Sequence, residues 1–221
     1  MKPQDIAEYA EYEIAQAASG RYRGLLDRLP VSLAGATVLD LAAGPGTWTR
    51  LFAQAGVAQV VWQDRSPQFL AIAQEYLVGT EEARFVIGDL ASLPYRAETF
   101  DLVFCRVSLH HSPSQARTVR EIARVLAPGG VAALVTNRIT RVTRRVPFGW
   151  KKPLHYLTPA LNALSGRHLA SAVWSMDWLL RRQLEQNGLV IEEWDSAGRE
   201  SLISFSRKAI RPGTASQGGD L

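Results

Sequence analysis

The sequence has one cysteine, Cys105, so it cannot form an internal disulfide, and a cysteine-based zinc site has no ligand set. Disulfide-stapled secreted folds are excluded. No run approaches the roughly 18 apolar residues that span a bilayer, and no apolar leader follows Met1-Lys2-Pro3. A cytoplasmic protein without a membrane span, monomeric or homodimeric, is the expectation. Acidic residues are missing between Glu121 and Asp177, a stretch that holds eight Arg or Lys, whereas the rest of the chain carries 17 basic and 21 acidic residues. The net charge of +4 is therefore concentrated in one quarter of the protein, which is either a cationic face or a solvated basic run.

The remaining composition is that of a globular protein: 221 residues, 47% hydrophobic and 21% charged. Such a length buries a large core and suits one domain with an appendage. Residues 4–29 read as two helices, the first with Ile6, Tyr9, Ala10 and Ile14 on one stripe, the second around Leu25, Leu26 and Leu29. From Val38 onward short apolar runs alternate with helical patterns: Val38 to Leu41, Gln59 to Gln63, Arg84 to Ile87, Phe100 to Cys105 and Val131 to Thr136. Alternation of this kind predicts a parallel sheet with helices on both faces. Ser66-Pro67 is a cap and first-turn proline for a helix through Leu77. A second helix, Ser114 to Leu126, has Val119, Ile122, Ala123 and Leu126 on one face and ends before Pro128-Gly129-Gly130. A last helix, Met176 to Gln186, precedes two strand-like runs, Leu189 to Trp194 and Ser201 to Phe205. The domain is expected over 1–210, with a helical cap at 1–30, a core at 31–137 and 176–210, an insertion at 138–175 and a disordered tail at 211–221.

Asp40-Leu41-Ala42-Ala43-Gly44-Pro45-Gly46-Thr47-Trp48 joins the first strand to a helix, where small residues let the backbone turn tightly and approach a ligand. Thr49 occupies the last glycine position of a nicotinamide-binding fingerprint, which disfavours that cofactor. Asp64 ends the second strand, where a carboxylate can accept from both hydroxyls of a ribose, and Asp89 follows the third. Three acids at successive strand ends, in register with a glycine loop, line the edge at which open α/β sheets bind ligands.

With VLDLAAGPG, VVWQDRSPQFL, FVIGDLASLPYRAETFDLVFCRVSLHH and EIARVLAPGG, the chain resembles class I S-adenosylmethionine-dependent methyltransferases. The similarity is to the small-molecule, type 11-like group that includes quinone-biosynthesis and sugar O-methyltransferases. It runs from Val38 to about Asn137 and resumes from Asp177 to Lys208. The resemblance implies a Rossmann-like seven-stranded, mostly parallel sheet whose last strand is antiparallel and inserted beside its neighbours. It also implies S-adenosylmethionine as cofactor, with S-adenosylhomocysteine as product. Asp40 and the loop Ala42, Ala43, Gly44 and Gly46 would then lie under its methionine and ribose, Asp64 with Arg65 at the ribose, and Asp89 with Leu90 at the adenine. Arg106 would border the cofactor, its side chain facing either the cofactor or solvent. Ala42 stands where the family has its first loop glycine, a departure that matters where the position needs a positive φ. Slightly altered cofactor affinity is expected from it.

Methyl transfer from a sulfonium is an in-line displacement, so alignment and exclusion of water are the main requirements. A hydroxyl or ammonium acceptor also needs a base, and His111 or His110, directly after the fourth strand, is the candidate; the alternative is one histidine packed and one exposed. No metal is expected, because adjacent histidines point apart without a helpful carboxylate. The 138–175 insertion falls where the family carries its substrate cover and is expected to be a helical lid; in it Trp150, His155 and Tyr156 with Arg144 and Arg145, and Tyr12 from the first helix, are candidates for binding an anionic or aromatic small-molecule acceptor. A nucleic-acid methyltransferase is the first rival, supported by the basic, aromatic-interleaved segment. Phe104-Cys105-Arg106-Val107 lacks the Asp/Asn-Pro-Pro-aromatic motif, and the lysines are confined to Lys2, Lys151, Lys152 and Lys208, where ribose methyltransferases need catalytic lysines. A methyltransferase-like domain working as a partner or scaffold is the second rival, against which the retained Asp40, Asp64 and Asp89 speak.

Overall fold

The computed structural model describes residues 3–137, 177–195 and 200–207. The acceptor candidates Arg144, Arg145, Trp150, His155 and Tyr156 lie outside the described residues, as do the helical lid expected over 138–175 and the 211–221 tail. In chain order the elements are α1 (Pro3–Ala18), α2 (Arg23–Leu26), β1 (Thr37–Leu41), α3 (Thr47–Gln54), β2 (Gln59–Asp64), α4 (Pro67–Tyr76) and β3 (Ala83–Ile87). There follow β4 (Phe100–Arg106), a 3-10 turn (Leu109–His111), α5 (Gln115–Val125), β5 (Leu126–Asn137), α6 (Asp177–Gln186), β6 (Leu189–Asp195) and β7 (Glu200–Arg207). They build a seven-stranded sheet of order β3-β2-β1-β4-β5-β7-β6. The pairs from β3 to β5 are parallel, and β7 runs antiparallel to both β5 and β6. This is the Rossmann-like arrangement that the resemblance implied.

The central strands bury apolar side chains on both faces because both sheet faces are covered. Leu39, Val61, Val103, Cys105 and Leu134 point to a core shared with α5 and α6, while Val38, Val60, Leu102, Phe104 and Ala133 point to a core holding Trp48 and Phe52 of α3. On that second face Trp48 stacks at 4.4 Å on Phe104 and at 5.2 Å on Tyr22. Ser66 caps α4 by accepting from the Phe69 N–H at 3.3 Å, with Pro67 in the first turn as expected.

Two departures from the sequence reading bear on the site's surroundings. Leu126 is not the last helical residue of α5 but the first of β5, paired with Phe100; the next pair, Leu102 with Val131, leaves Ala127 to Gly130 as a bulge. Gly130 is required there, since a Cβ would come within 2.9 Å of the Ala127 and Phe100 carbonyl oxygens. The second difference is on α1, whose buried positions are Ile6, Ala10 and Glu13, while Tyr9 is 39% exposed. A stripe read by hydrophobicity passes over an acid. Glu13 is buried because it accepts from Arg106 at the end of β4 (2.8 Å) and from the Tyr22 hydroxyl (2.7 Å), and the Arg106 guanidinium also lies 4.7 Å from the Tyr22 ring centre. A carboxylate taken out of water needs such partners, and this set ties α1 to the sheet edge where the first four strands end.

Candidate cofactor and active site

Parallel β1, β2, β3 and β4 end side by side at Leu41, Asp64, Ile87 and Arg106. The strand order reverses between β1 and β4, which is where open α/β sheets bind ligands. Beyond β1 the loop turns through three left-handed residues, Ala42 (φ 58°), Gly44 (φ 54°) and Gly46 (φ 86°). Two of these positions explain themselves by geometry. A Cβ on Gly46 would lie 2.9 Å from Leu77 Cδ1, so glycine lets the start of α3 pack on α4. Ala42 is strained, because an L side chain in this region costs about 1 to 2 kcal/mol. Ala42→Gly should therefore raise stability by about 1 kcal/mol in denaturant titration, and an unchanged midpoint would show that the loop relaxes around the methyl group.

The loop is held from β2. Trp62 donates its indole N–H to the Gly44 carbonyl (2.9 Å), and Asp64 accepts from the Gly44 N–H (3.0 Å, Oδ2) and the Ser66 N–H (2.9 Å, Oδ1). Asp64 is thus a buried clamp as well as a strand-end acid, and each carboxylate oxygen keeps a second lone pair for a further donor. Asp40 is buried in β1 and accepts from the Thr49 hydroxyl at 2.7 Å. Burial raises its pKa to about 7, with the charge of Asp64 adding to the rise and the Thr49 hydrogen bonds opposing it. Asp89 accepts the Ala91 N–H on Oδ1 (2.7 Å), and its Oδ2 makes no hydrogen bond among the described residues. Three carboxylates and a left-handed loop therefore stand along one edge.

The raised Asp40 pKa has a signed consequence for stability. Between about pH 4 and pH 7 the folded state holds a proton that the unfolded chain has released, so stability falls as pH rises through this window and levels off above it. At about 1.4 kcal/mol per pH unit the fall is a few kcal/mol. Asp40→Asn should flatten the slope in urea titrations across this range, and an unaltered slope would assign it to other groups.

Residues 39–134 match the family model described as a methyltransferase domain. These residues carry a methyltransferase domain. The chain is 34% identical to a trans-aconitate 2-methyltransferase of Variovorax paradoxus over 63% of this chain and 49% of that protein. To a demethylmenaquinone methyltransferase of Bacillus licheniformis it is 28% identical over 70% of this chain and 66% of that one. The chain thus spans about half to two thirds of the length of these relatives. A S-adenosylmethionine-dependent methyltransferase structure from Aquifex aeolicus superposes with a TM-score of 0.66 at 16% identity, covering 93% of this chain and 98% of that one, a likeness of fold.

The loop has room for a ligand such as S-adenosylmethionine. A Cβ built on Gly44 would meet nothing nearer than the Tyr9 ring, at 4.0 Å, so the backbone is open to a ligand over the strand ends. Ala43 is buried against Trp62, Ala73 and Leu77 and contributes packing to this loop. Arg65 is exposed beside Asp64, and Leu90 is half-buried against the core behind Asp89. Arg106 is the clearest case of a side chain placed by tertiary structure. It pairs with Glu13 and lies over the Tyr22 ring, with 12% of its side-chain surface exposed.

His111 is exposed on the 3-10 turn after β4, and the backbone of His110 is in the same turn. The turn is launched by Val107, a β-branched residue at φ 53° whose N–H donates to the Val135 carbonyl at 2.6 Å. Such strain is costly and clusters at functional sites. Sequence reasoning had no signal for Val107, because nothing in a valine announces a left-handed φ. Tyr12 is 53% exposed, so it is not part of the core, and Tyr9 meets the Phe69 ring edge-on at 6.0 Å. Burial pushes the Cys105 thiol up to about 12, with the Asp40 charge adding to the shift, so it stays protonated. Among the described residues no His, Cys, Asp and Glu group could hold a metal ion. No helix among them is long and apolar enough to cross a membrane.

Proposed function

We propose that this chain transfers a methyl group from S-adenosylmethionine to an oxygen or nitrogen of a small-molecule acceptor. The observation that carries this reading is the alignment of Asp40, Asp64 and Asp89 with the left-handed loop at one sheet edge. Asp64, with Arg65 beside it, holds the ribose through the remaining lone pairs of its carboxylate, and Asp89 accepts from the adenine amino group while Leu90 covers the ring. Asp40 and Ala42 to Gly46 lie under the methionine and ribose. When bound, S-adenosylmethionine supplies an electrophilic methyl group on sulfur. The protein's part is to place the acceptor lone pair in line, exclude water and take up the acceptor's proton.

His111 is the residue proposed to take that proton on its imidazole, with His110 second. Tyr12 belongs to the acceptor side, together with Trp150, His155, Tyr156, Arg144 and Arg145 of the 138–175 insertion. Its Arg and Lys residues, unaccompanied by acids, favour a flat or amphipathic acceptor with a carboxylate, phosphate or phenolate. The named relatives, a trans-aconitate and a demethylmenaquinone methyltransferase, support a small molecule as acceptor.

The test is a thermal-shift comparison followed by an acceptor panel. S-adenosylhomocysteine should stabilise the protein and NAD should not; with S-adenosylmethionine and an acceptor panel, S-adenosylhomocysteine should be released. Stabilisation by NAD alone, or cofactor binding with no release on any acceptor, would overturn the enzymatic reading.

A further inference from the structure

The segment between β3 and β4, Gly88 to Thr99, carries Asp89 near its start and has little regular structure of its own. Something must hold it. Within it, the Ala91 N–H bonds to Asp89 Oδ1, and an isolated bridge joins Asp89 to Ser92. Two sets of side chains from outside the segment complete the hold.

The first comes from β2. Gln63 is fully buried, and both ends of its amide are spent on this loop: Nε2 donates to the Asp89 carbonyl at 3.4 Å, and Oε1 accepts from the Tyr95 hydroxyl. Gly88 makes room, since a Cβ there would lie 3.0 Å from Gln63 Nε2. The second comes from α5. Glu121 accepts from the Leu93 N–H (2.9 Å) and pairs at two points with Arg124, both 2.8 Å, while Arg124 donates to the Leu93 (2.9 Å) and Tyr95 (2.7 Å) carbonyls. Tyr95 is held from both sides, its hydroxyl by β2 and its carbonyl by α5. Its ring stands edge-on to Phe100 at 5.0 Å, and burial raises the pKa of the phenol, which keeps it a donor.

Packing does not account for this set. A fully buried glutamine near the end of β2 is costly unless its amide is satisfied, and here it is satisfied by the loop that carries Asp89. The half-buried Glu121–Arg124 fork likewise spends its hydrogen bonds on that loop.

We propose that Gln63 and Tyr95, together with the Glu121–Arg124 pair, are positioning residues that aim the Asp89 carboxylate and thereby set the preference of the site for a 6-aminopurine. The inference rests on the cofactor reading above. The network reaches Asp89 through its backbone carbonyl and through the turn that follows it, so loosening the network changes where the carboxylate points. It leaves the Asp64 clamp at the ribose end untouched.

Calorimetry on the full chain tests this with two ligands, S-adenosylhomocysteine and S-inosylhomocysteine, in which a carbonyl oxygen replaces the purine 6-amino group. The wild type should prefer the amino form. Tyr95→Phe keeps the ring and removes the hydroxyl; it should lose about 3- to 10-fold for S-adenosylhomocysteine and little for the inosyl compound. Arg124→Lys, which keeps the charge but not the fork, should shift the preference in the same direction. In the ligand-free protein, Tyr95→Phe should speed amide exchange at Ala91 and Leu93 and leave Gly44 unchanged. Equal losses for both ligands, or unaltered exchange at Ala91 and Leu93, overturn the positioning role. A wild type that binds neither ligand overturns the cofactor reading itself and this inference with it, whereas binding without a change of preference in the variants overturns this inference alone.

Discussion

Replacing His111 by alanine is expected to lower turnover by about 10² to 10⁴-fold while the KM values for cofactor and acceptor change little. The split follows from the role: a base acts on a proton lost during transfer and contributes little to holding either ligand. The loss should be largest below the acceptor's own pKa, where the acceptor cannot ionise unaided. The side chain is exposed, so truncation leaves no buried cavity, and an unfolding midpoint measured on the same sample separates loss of the base from loss of folding. Turnover unchanged between about pH 6 and pH 9 would sink the base assignment and leave alignment as the main catalytic effect.

Asp64→Ala should affect both folding and binding. From its strand-end position alone, this substitution would be read as removing ribose contacts and sparing the fold. The structure changes that expectation, because Asp64 also accepts from the Gly44 and Ser66 N–H groups and so joins the glycine loop to the start of α4. Hydrogen bonds to a charged group contribute about 1.5 to 3 kcal/mol each, so a stability loss on the order of 3 kcal/mol is expected together with a loss of S-adenosylhomocysteine affinity of about 10-fold or more. Asp64→Asn, with a single acceptor oxygen, should be intermediate in both. Denaturant titration and calorimetry on the same samples separate the two effects. Wild-type stability would show that the loop needs no clamp, and wild-type affinity would place the ribose elsewhere.

The fold was legible because its signals are local. Apolar runs bounded by glycine, the Ser66-Pro67 cap and the spacing of Val119, Ile122 and Ala123 each report on a single element, and the structure has a strand or helix at every one of those places. The boundary at Leu126 was missed because a buried leucine satisfies a helix face and a covered strand equally well. Only its pairing with Phe100 decides between them. The strand-end acids were legible for a similar reason, since the end of a strand and a following glycine can both be read without knowing what lies across the sheet.

What the sequence determined by itself is therefore the alternation of strands and helices that makes a parallel sheet, and the line of Asp40, Asp64 and Asp89 at its strand ends, because these depend on residue type and on spacing along the chain. What tertiary structure decided is the partner of each charged side chain. Glu13 reads as a surface acid until Arg106, 93 residues later, and Tyr22 are brought to it. Gln63 reads as an odd polar residue in a strand until Tyr95 and the Asp89 carbonyl meet its amide. Ala42 reads as a departure whose effect depends on the backbone angle, and the loop takes it to φ 58°. The physical reason is common to all three: a hydrogen bond or a backbone angle depends on where distant segments bring atoms together, and a linear pattern of polar and apolar residues carries no distance.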